Sequence, residues 1–312
     1  MSNSIPSFLG QVNQTGPLDS LFLLKFTNEI LASFNTNCLY NEKTVTRGIS
    51  QGKSAQFPAM GRIGAEYHTP GHQLLGLKMS HAERIITVDG MLVSHAFIAE
   101  IDELRNHYDV RSQYSRQMGQ ALAEVYDKHV ASTIYQAARS GPTIVGEAGG
   151  TVINGGVNIA SDPVAFKNAM FACAQVLDEN NIPSSNRYAF VSPEIYYLAA
   201  QTPDLINKDW DGDGSMSKGV FGTLAGIALI KSNNTLAGVN FNDPNTPAKY
   251  RGDYSNAAFH VFHESVVGTV KLLNIAFETT YQADRLGNLL TARYAVGHGI
   301  LRPECAVEVR AV

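Results

Sequence analysis

Cysteine is scarce in this chain. Cys38, Cys173 and Cys305 are spread over 312 residues with no CxxC spacing. An odd number so far apart sketches neither a zinc site nor a disulfide framework, so three reduced thiols in a cytoplasmic setting are expected. Charge is scarce as well. Asp, Glu, Lys and Arg make up only 17% of the sequence, with a formal net charge of −4. A protein that grips nucleic acid by its phosphates needs clustered Lys and Arg, so this charge argues against one. The chain opens without a basic segment followed by an apolar run, so no signal peptide is expected. No apolar stretch approaches the roughly 20 residues of a membrane span.

The patterns of catalysis are missing too. There is no GxSxG elbow and no HExxH pair, and no Cys–His or close acidic pair stands out. Two fragments imitate sites and fall short. Gly52-Lys53-Ser54 resembles the end of a phosphate-binding loop, but the position that needs the first glycine is Arg47, and Phe57-Pro58 follows where a helix should begin. Asp209, Asp211, Asp213 and Gly214 copy the first half of a calcium loop. The bidentate glutamate should then stand at position 220, which is Val220, and Lys218 adds a repelling charge. His68 and His72, or His260 and His263, sit at spacings that a strand does not bring to one ion, the second pair falling on opposite faces. No catalytic residue, metal ligand or cofactor site is expected, and nothing speaks for an enzyme.

Apolar residues are ample, at 44%, and glycine reaches 27 residues. Few charges and many small residues suit a protein that expects neighbours. Residues 1–16 are polar and turn-rich. Pro17 to Asn35 reads as a helix with Leu21, Leu24, Leu31 and Phe34 on one face, widened by Phe22, Phe26 and Ile30. That face must be buried on the body or on another subunit. Lys43 to Val88 has strand-like ends around a middle broken by Gly52, Pro58, Gly61, Gly64, Pro70, Gly71 and Gly76. So long a stretch with so few apolar groups predicts a projecting two-stranded hairpin that rests on something else.

Thr87 to Gly141 carries the longest periodic segment. A strand at Arg84–Val88 and a short helical segment at Ala96–Asn106 are expected first. Asp109 then caps a helix from Val110 to Arg139, about 45 Å long. Val110, Tyr114, Met118, Leu122 and Val125 mark its core face, and Gly141-Pro142 stops it. GEAGGTVINGG (Gly146 to Gly156) reads as a loop. Asp162-Pro163 starts a helix with Phe166, Met170, Cys173 and Leu177 on one side. RYAFV (Arg187 to Val191) is a buried strand, Ser192-Pro193-Glu194 opens a helix over Ile195–Ala200, and GIALIK (Gly226 to Lys231) is a further strand. The middle third is thus an α/β subdomain, and strands dominate from Ala257 to Val312. The class is α+β.

Several segments together resemble one family. ISQGKSAQFPAMGR (Ile49 to Arg62), ITVDG (Ile86 to Gly90), NHYDVRSQY (Asn106 to Tyr114), VGTVKL (Val267 to Leu272) and YAVGHGILRPECA (Tyr294 to Ala306) are similar to the major capsid proteins of tailed double-stranded DNA bacteriophages. Their fold is the Hong Kong 97 type, and the wording is nearest the short-tailed Autographiviridae, Teseptimavirus-like members. The resemblance implies an N-terminal arm (1–42), an E-loop (43–88), a P domain (89–140 and 265–299) with a spine helix at 110–139, and an A domain (141–264 and 300–312). It implies self-assembly of hexamers and pentamers into an icosahedral shell, first as a prohead and then as an expanded capsid. The partners implied are a scaffolding protein, a portal protein, decoration proteins where present, and packaged DNA contacted without sequence preference, with no membrane. Assembly would take place in the host cytoplasm. Lys53, Arg62, Glu66, Tyr67, Leu74 and Leu75 are the hairpin residues expected at contacts between subunits. Some relatives weld an E-loop lysine to an asparagine, but neither Lys53 nor Lys78 sits in a motif for that bond. The alternatives are an encapsulin-type compartment with the same fold and, from another class, a soluble α/β enzyme or calcium-binding protein.

Overall fold

The computed structural model describes residues 30–73, 76–101, 110–200 and 223–312. The DWDGDG stretch, Leu74, Leu75, Asp109 and the arm before residue 30 lie outside the described residues. The chain divides into two compact units. One takes the chain up to Asn41, Gly90–Tyr126 and Leu272–Val296; the other takes Glu42–Asp89, Asp127–Lys271 and Gly297–Val312.

In the first unit, strand β4 (Leu92–Ala99) pairs antiparallel with β13 (Gly287–Ile300), Gly287 opposite Ala99 and Tyr294 opposite Leu92. Beyond β13 lies β12 (Val267–Gln282). The helix expected from Ala96 is therefore a strand as far as Ala99. LVSHAFIA alternates in exposure along its length, and Val93, Phe97 and Ile98 are residues that favour a pleated, half-covered surface. Short helix α1 (residues 30–37) packs on α2 (Val110–Ala138). Gly119 makes that approach possible: a Cβ there would stand 2.8 Å from the Ile30 carbonyl oxygen and 2.9 Å from the Ser33 Cβ. Ile30 and Phe34 are buried, and the Phe34 ring meets Tyr126 and Tyr294 edge-on at 5.8 and 5.9 Å. This much of the amphipathic N-terminal segment is buried on its own chain.

Helix α2 has 29 residues, giving a length of about 44 Å. Its buried stripe in the first unit runs through Ser115, Met118, Leu122 and Tyr126, while Val125 is half-buried and Tyr114 is exposed. Tyr114 thus departs from the expected core face. Steps of four advance about 40° each around a helix of 3.6 residues per turn, so a row built on steps of four winds away from the stripe. The stripe itself keeps to one side by mixing steps of three and four.

The second unit holds a six-stranded mixed sheet in the order β5-β14-β11-β6-β8-β7. Its strands are β5 (Thr151–Asn154), β6 (Arg187–Val191), β7 (Thr223–Leu224), β8 (Ile227–Lys231), β11 (Ala257–His263) and β14 (Ala306–Arg310), while β9 (Val239–Phe241) and β10 (Gly252–Tyr254) form a separate pair. β11 is buried at all seven positions, as a central strand covered on both faces must be. The glycine-rich stretch after α2 contains a strand after all. TVIN is an island of β-branched residues between glycines, and it pairs parallel with β14, Thr151 opposite Val307. Helix α3 (Pro163–Glu179) begins as its sequence predicts. The Asp162 side chain accepts from the Val164 N–H at 2.9 Å, and Phe166, Met170, Cys173 and Leu177 are all buried. Helix α4 (Pro193–Ala199) follows Ser192, whose hydroxyl caps the Ile195 N–H. The three cysteines are buried and none forms a disulfide. Burial pushes the Cys173 thiol up to about 12 and the Cys305 thiol up to about 11, which keeps both un-ionised.

Candidate assembly surface

The hairpin belongs to the second unit and packs on it through a small apolar cluster. Strands β2 (Ser54–Met60) and β3 (His81–Thr87) pair antiparallel from Ser54 opposite Thr87 to Met60 opposite His81. Just before them, β1 (Val45–Gly48) runs parallel to β12, Val45 opposite Gly268. The ribbon has two unlike faces. Ala55, Phe57 and Ile86 turn inward and join Val270 and Leu301 in a core cluster, with Ile49 and Val88 at its margin. Glycines on the underlying strands let the ribbon lie down: a Cβ on Gly268 would stand 2.6 Å from the Ile86 Cδ1, and one on Gly299 would stand 2.8 Å from its Cγ1.

The other face is bare. Among the described residues, Met60 (66% exposed) and Ile85 (59%) on the strands, and Ile63 (61%) and the fully exposed Tyr67 in the segment after Met60, stand open. Exposed large apolar groups on one projecting segment make the hairpin a candidate contact surface. Lys53, Glu66 and Tyr67 are exposed here. Arg62, also exposed, has partners in its own chain. Its guanidinium donates to the Asn180 carbonyl at 2.5 Å, and its backbone N–H donates to Glu147 Oε1 at 3.1 Å. Carbonyls at the end of α3 have no helical partner, which makes that end a natural seat for a cation. Sequence spacing had no means of pairing residues 62, 147 and 180.

A model of the Gp10A-like family, described as major capsid protein, matches residues 56–310. The chain belongs to this family of major capsid proteins. It is 32% identical to the major capsid protein of Escherichia phage T7, over 92% of this chain and 90% of that protein. Among solved structures it is similar to the capsid of cyanophage P-SCSP1u, with a TM-score of 0.77 and 38% identity over 100% of this chain and 99% of that one. The mature capsid of bacteriophage PhiM1 shares the fold, with a TM-score of 0.72 and 16% identity over 88% of this chain and 87% of that one. The architecture is the tailed-phage capsid fold of the Hong Kong 97 type. This capsid protein's place is the virion shell.

Two polar nodes brace the second unit of the capsid subunit. In one, Glu308 is fully buried, takes two hydrogen bonds of 2.6 Å from Arg139 and a third of 3.0 Å from Arg310, and Arg139 lies 5.0 Å over the Tyr254 ring. A buried carboxylate is tolerable only when paired this fully. In the other, His129 stacks on Tyr250 at 4.2 Å. Burial, and then the nearby Lys249 charge, lower His129 to about 4. His260, expected on the face opposite His263, is enclosed among the rings of Tyr135, Phe190 and Phe262, and burial lowers it to about 3. His263 is buried too and uses its Nδ1 to cap the turn at Ser265. Among the described residues, no cluster of three or more His, Cys, Asp and Glu could hold a metal ion, and no helix is long and apolar enough to cross a membrane.

Proposed function

We propose that copies of this chain form hexamers and pentamers of an icosahedral shell around a double-stranded DNA genome. The shell closes on a scaffolding protein, carries a portal at one vertex, and expands as DNA enters; decoration proteins, where present, add to its outside. The role is structural, without catalysis or a cofactor. The observation that carries the reading is the similarity to a capsid subunit at 38% identity along the whole chain, hairpin included. In family terms, 43–88 is the E-loop, 89–140 and 265–299 the P domain, and 141–264 and 300–312 the A domain, with 1–42 the N-terminal arm.

The bare hairpin face supports the same reading. Met60, Ile63, Tyr67 and Ile85 are too large and too exposed to be left in water, and a neighbouring copy is the surface that a closed shell supplies. Lys53, Glu66 and Tyr67 lie on that arm, with Leu74 and Leu75 assigned to it from the sequence. Co-expression with the scaffolding protein from the same genome, followed by electron microscopy, is the test. Closed shells of uniform diameter are expected. A chain that stays monomeric with its scaffold, or that encloses an enzyme cargo in place of a genome, would overturn the proposal.

A further inference from the structure

The chain enters the hairpin segment at Thr44, ahead of β1, and leaves it at Asp89 after β3, and hydrogen bonds through the second unit link these two roots by way of the His298 ring and its backbone N–H. Thr44 stands just ahead of β1, and its hydroxyl meets that of Thr269 on β12 at 3.1 Å. The Thr269 hydroxyl meets His298 Nδ1 on β13 at 3.0 Å. The His298 backbone N–H donates to the Tyr250 hydroxyl at 2.9 Å. That hydroxyl in turn donates to Asp89 Oδ2 at 2.5 Å, just beyond the hairpin's last strand. Lys249 closes the end, with its Nζ 2.6 Å from Asp89 Oδ1 and 3.2 Å from the Thr87 carbonyl. Thr269, Tyr250 and His298 are almost wholly buried.

We propose that this line is a clasp that aims the hairpin, with Tyr250 as its central positioning residue. The inference rests on the hairpin's role as the arm between subunits. An apolar cluster such as Phe57 with Ile86, Val270 and Leu301 holds a ribbon down but resists sliding only weakly, since dispersion has no preferred direction. Hydrogen bonds are directional, and buried polar groups are costly to leave unmade. A tilt of either root therefore breaks the line at once, whereas a small slide on the apolar cluster does not. Gly297 fits this role: a Cβ there would overlap the Thr87 carbonyl, so no larger residue lets β13 come close enough to engage the root.

The test is amide hydrogen exchange read by mass spectrometry on the purified full chain, with Tyr250→Phe as the first variant. Phenylalanine keeps the ring on His129 and removes only the oxygen shared by Asp89 and His298. The clasp predicts that peptides from β2 and β3 exchange about tenfold faster, the scale of one hydrogen bond to a charged group, while β11 and β14 exchange as in the parent. Thr269→Val cuts the line nearer its other end and is expected to give the same pattern. Unchanged protection of β2 and β3 in folded variants would overturn the proposal. So would equal loss in β11 and β14, or failure of both variants to fold, because the line would then be part of the general core. Mixing each folded variant with scaffold adds a separate reading. Faster hairpin exchange with shells of normal size would uphold the clasp and remove the arm from the control of shell size.

Discussion

Leu122→Asp and Tyr114→Asp differ by two turns of one helix and should have opposite outcomes. Leu122 is 2% exposed and stands between Met118 and Tyr126 on the buried stripe of α2, whereas Tyr114 is 40% exposed. Removing the leucine forfeits about 2 to 3 kcal/mol of apolar burial. Placing a carboxylate there without a partner adds several kcal/mol more. The sum, on the order of 5 kcal/mol or above, equals or exceeds the lower end of the roughly 5 to 15 kcal/mol that holds a folded chain together. Leu122→Asp should therefore be insoluble, or soluble with no cooperative melt. At Tyr114 the new carboxylate stays hydrated, and the cost should be about 1 kcal/mol or less. Far-ultraviolet circular dichroism with thermal melting, on matched soluble fractions, reads both. A Leu122→Asp protein that melts like the parent would refute the assignment of the buried stripe. Equal collapse of the two variants would refute the argument that the stripe passes Tyr114 by.

Replacing Arg62–Leu77 by an Asn-Gly turn leaves the ladder from Ser54 to Met60 intact, so the shortened protein should melt cooperatively yet form no closed shells with scaffold; normal shells would remove the arm from assembly. Glu308→Ala strips Arg139 and Arg310 of a common partner and should cost about 3 to 5 kcal/mol, seen as a lower denaturant midpoint, and a change under 1 kcal/mol would show that the node is inert. His129 and His260 are held neutral in the fold at about 4 and about 3, below the unfolded value, so the unfolded chain binds more protons once pH drops under about 6.5. Their contribution is whole above that pH and fades as acid approaches their folded values, on the order of 3 kcal/mol for His129 alone. The melting temperature should fall steadily from pH 6.5 to pH 4.5, and a flat profile would contradict the buried, neutral histidines.

What could be read in advance was what repeats locally. Asp162-Pro163 followed by Phe166, Met170, Cys173 and Leu177 carries its own start signal and its own face, and α3 follows it closely. RYAFV and AFHVFH announce strands by composition alone. Ala96 to Ala99 looks helical in isolation because its partner, Leu290 to Gly287, lies far along the chain and sets the pairing that local propensity leaves open. Thr151–Asn154 was hidden for the same reason, its glycine flanks masking a strand that only β14 completes. The seat of Arg62 and the line from Thr44 to Asp89 draw on distant segments, each unremarkable in its own surroundings. No periodicity records such meetings, so they become visible only once the sheets are built.

The parallel pairing of β1 with β12 also fixes the order in which a ribosome can deliver a working arm. Val45 has its partner at Gly268, β4 waits for β13, and β5 waits for β14. The nascent first half can form helical turns and the β2–β3 ribbon as it emerges, but it cannot complete any sheet that involves β1, β4 or β5. Contacts of such long range form late, after loop closure over most of the chain. The inward face of the hairpin therefore gains its full seat, with Val270 and Leu301, only when the last strands appear. Until then Phe57 and Ile86 lack part of the cluster that covers them.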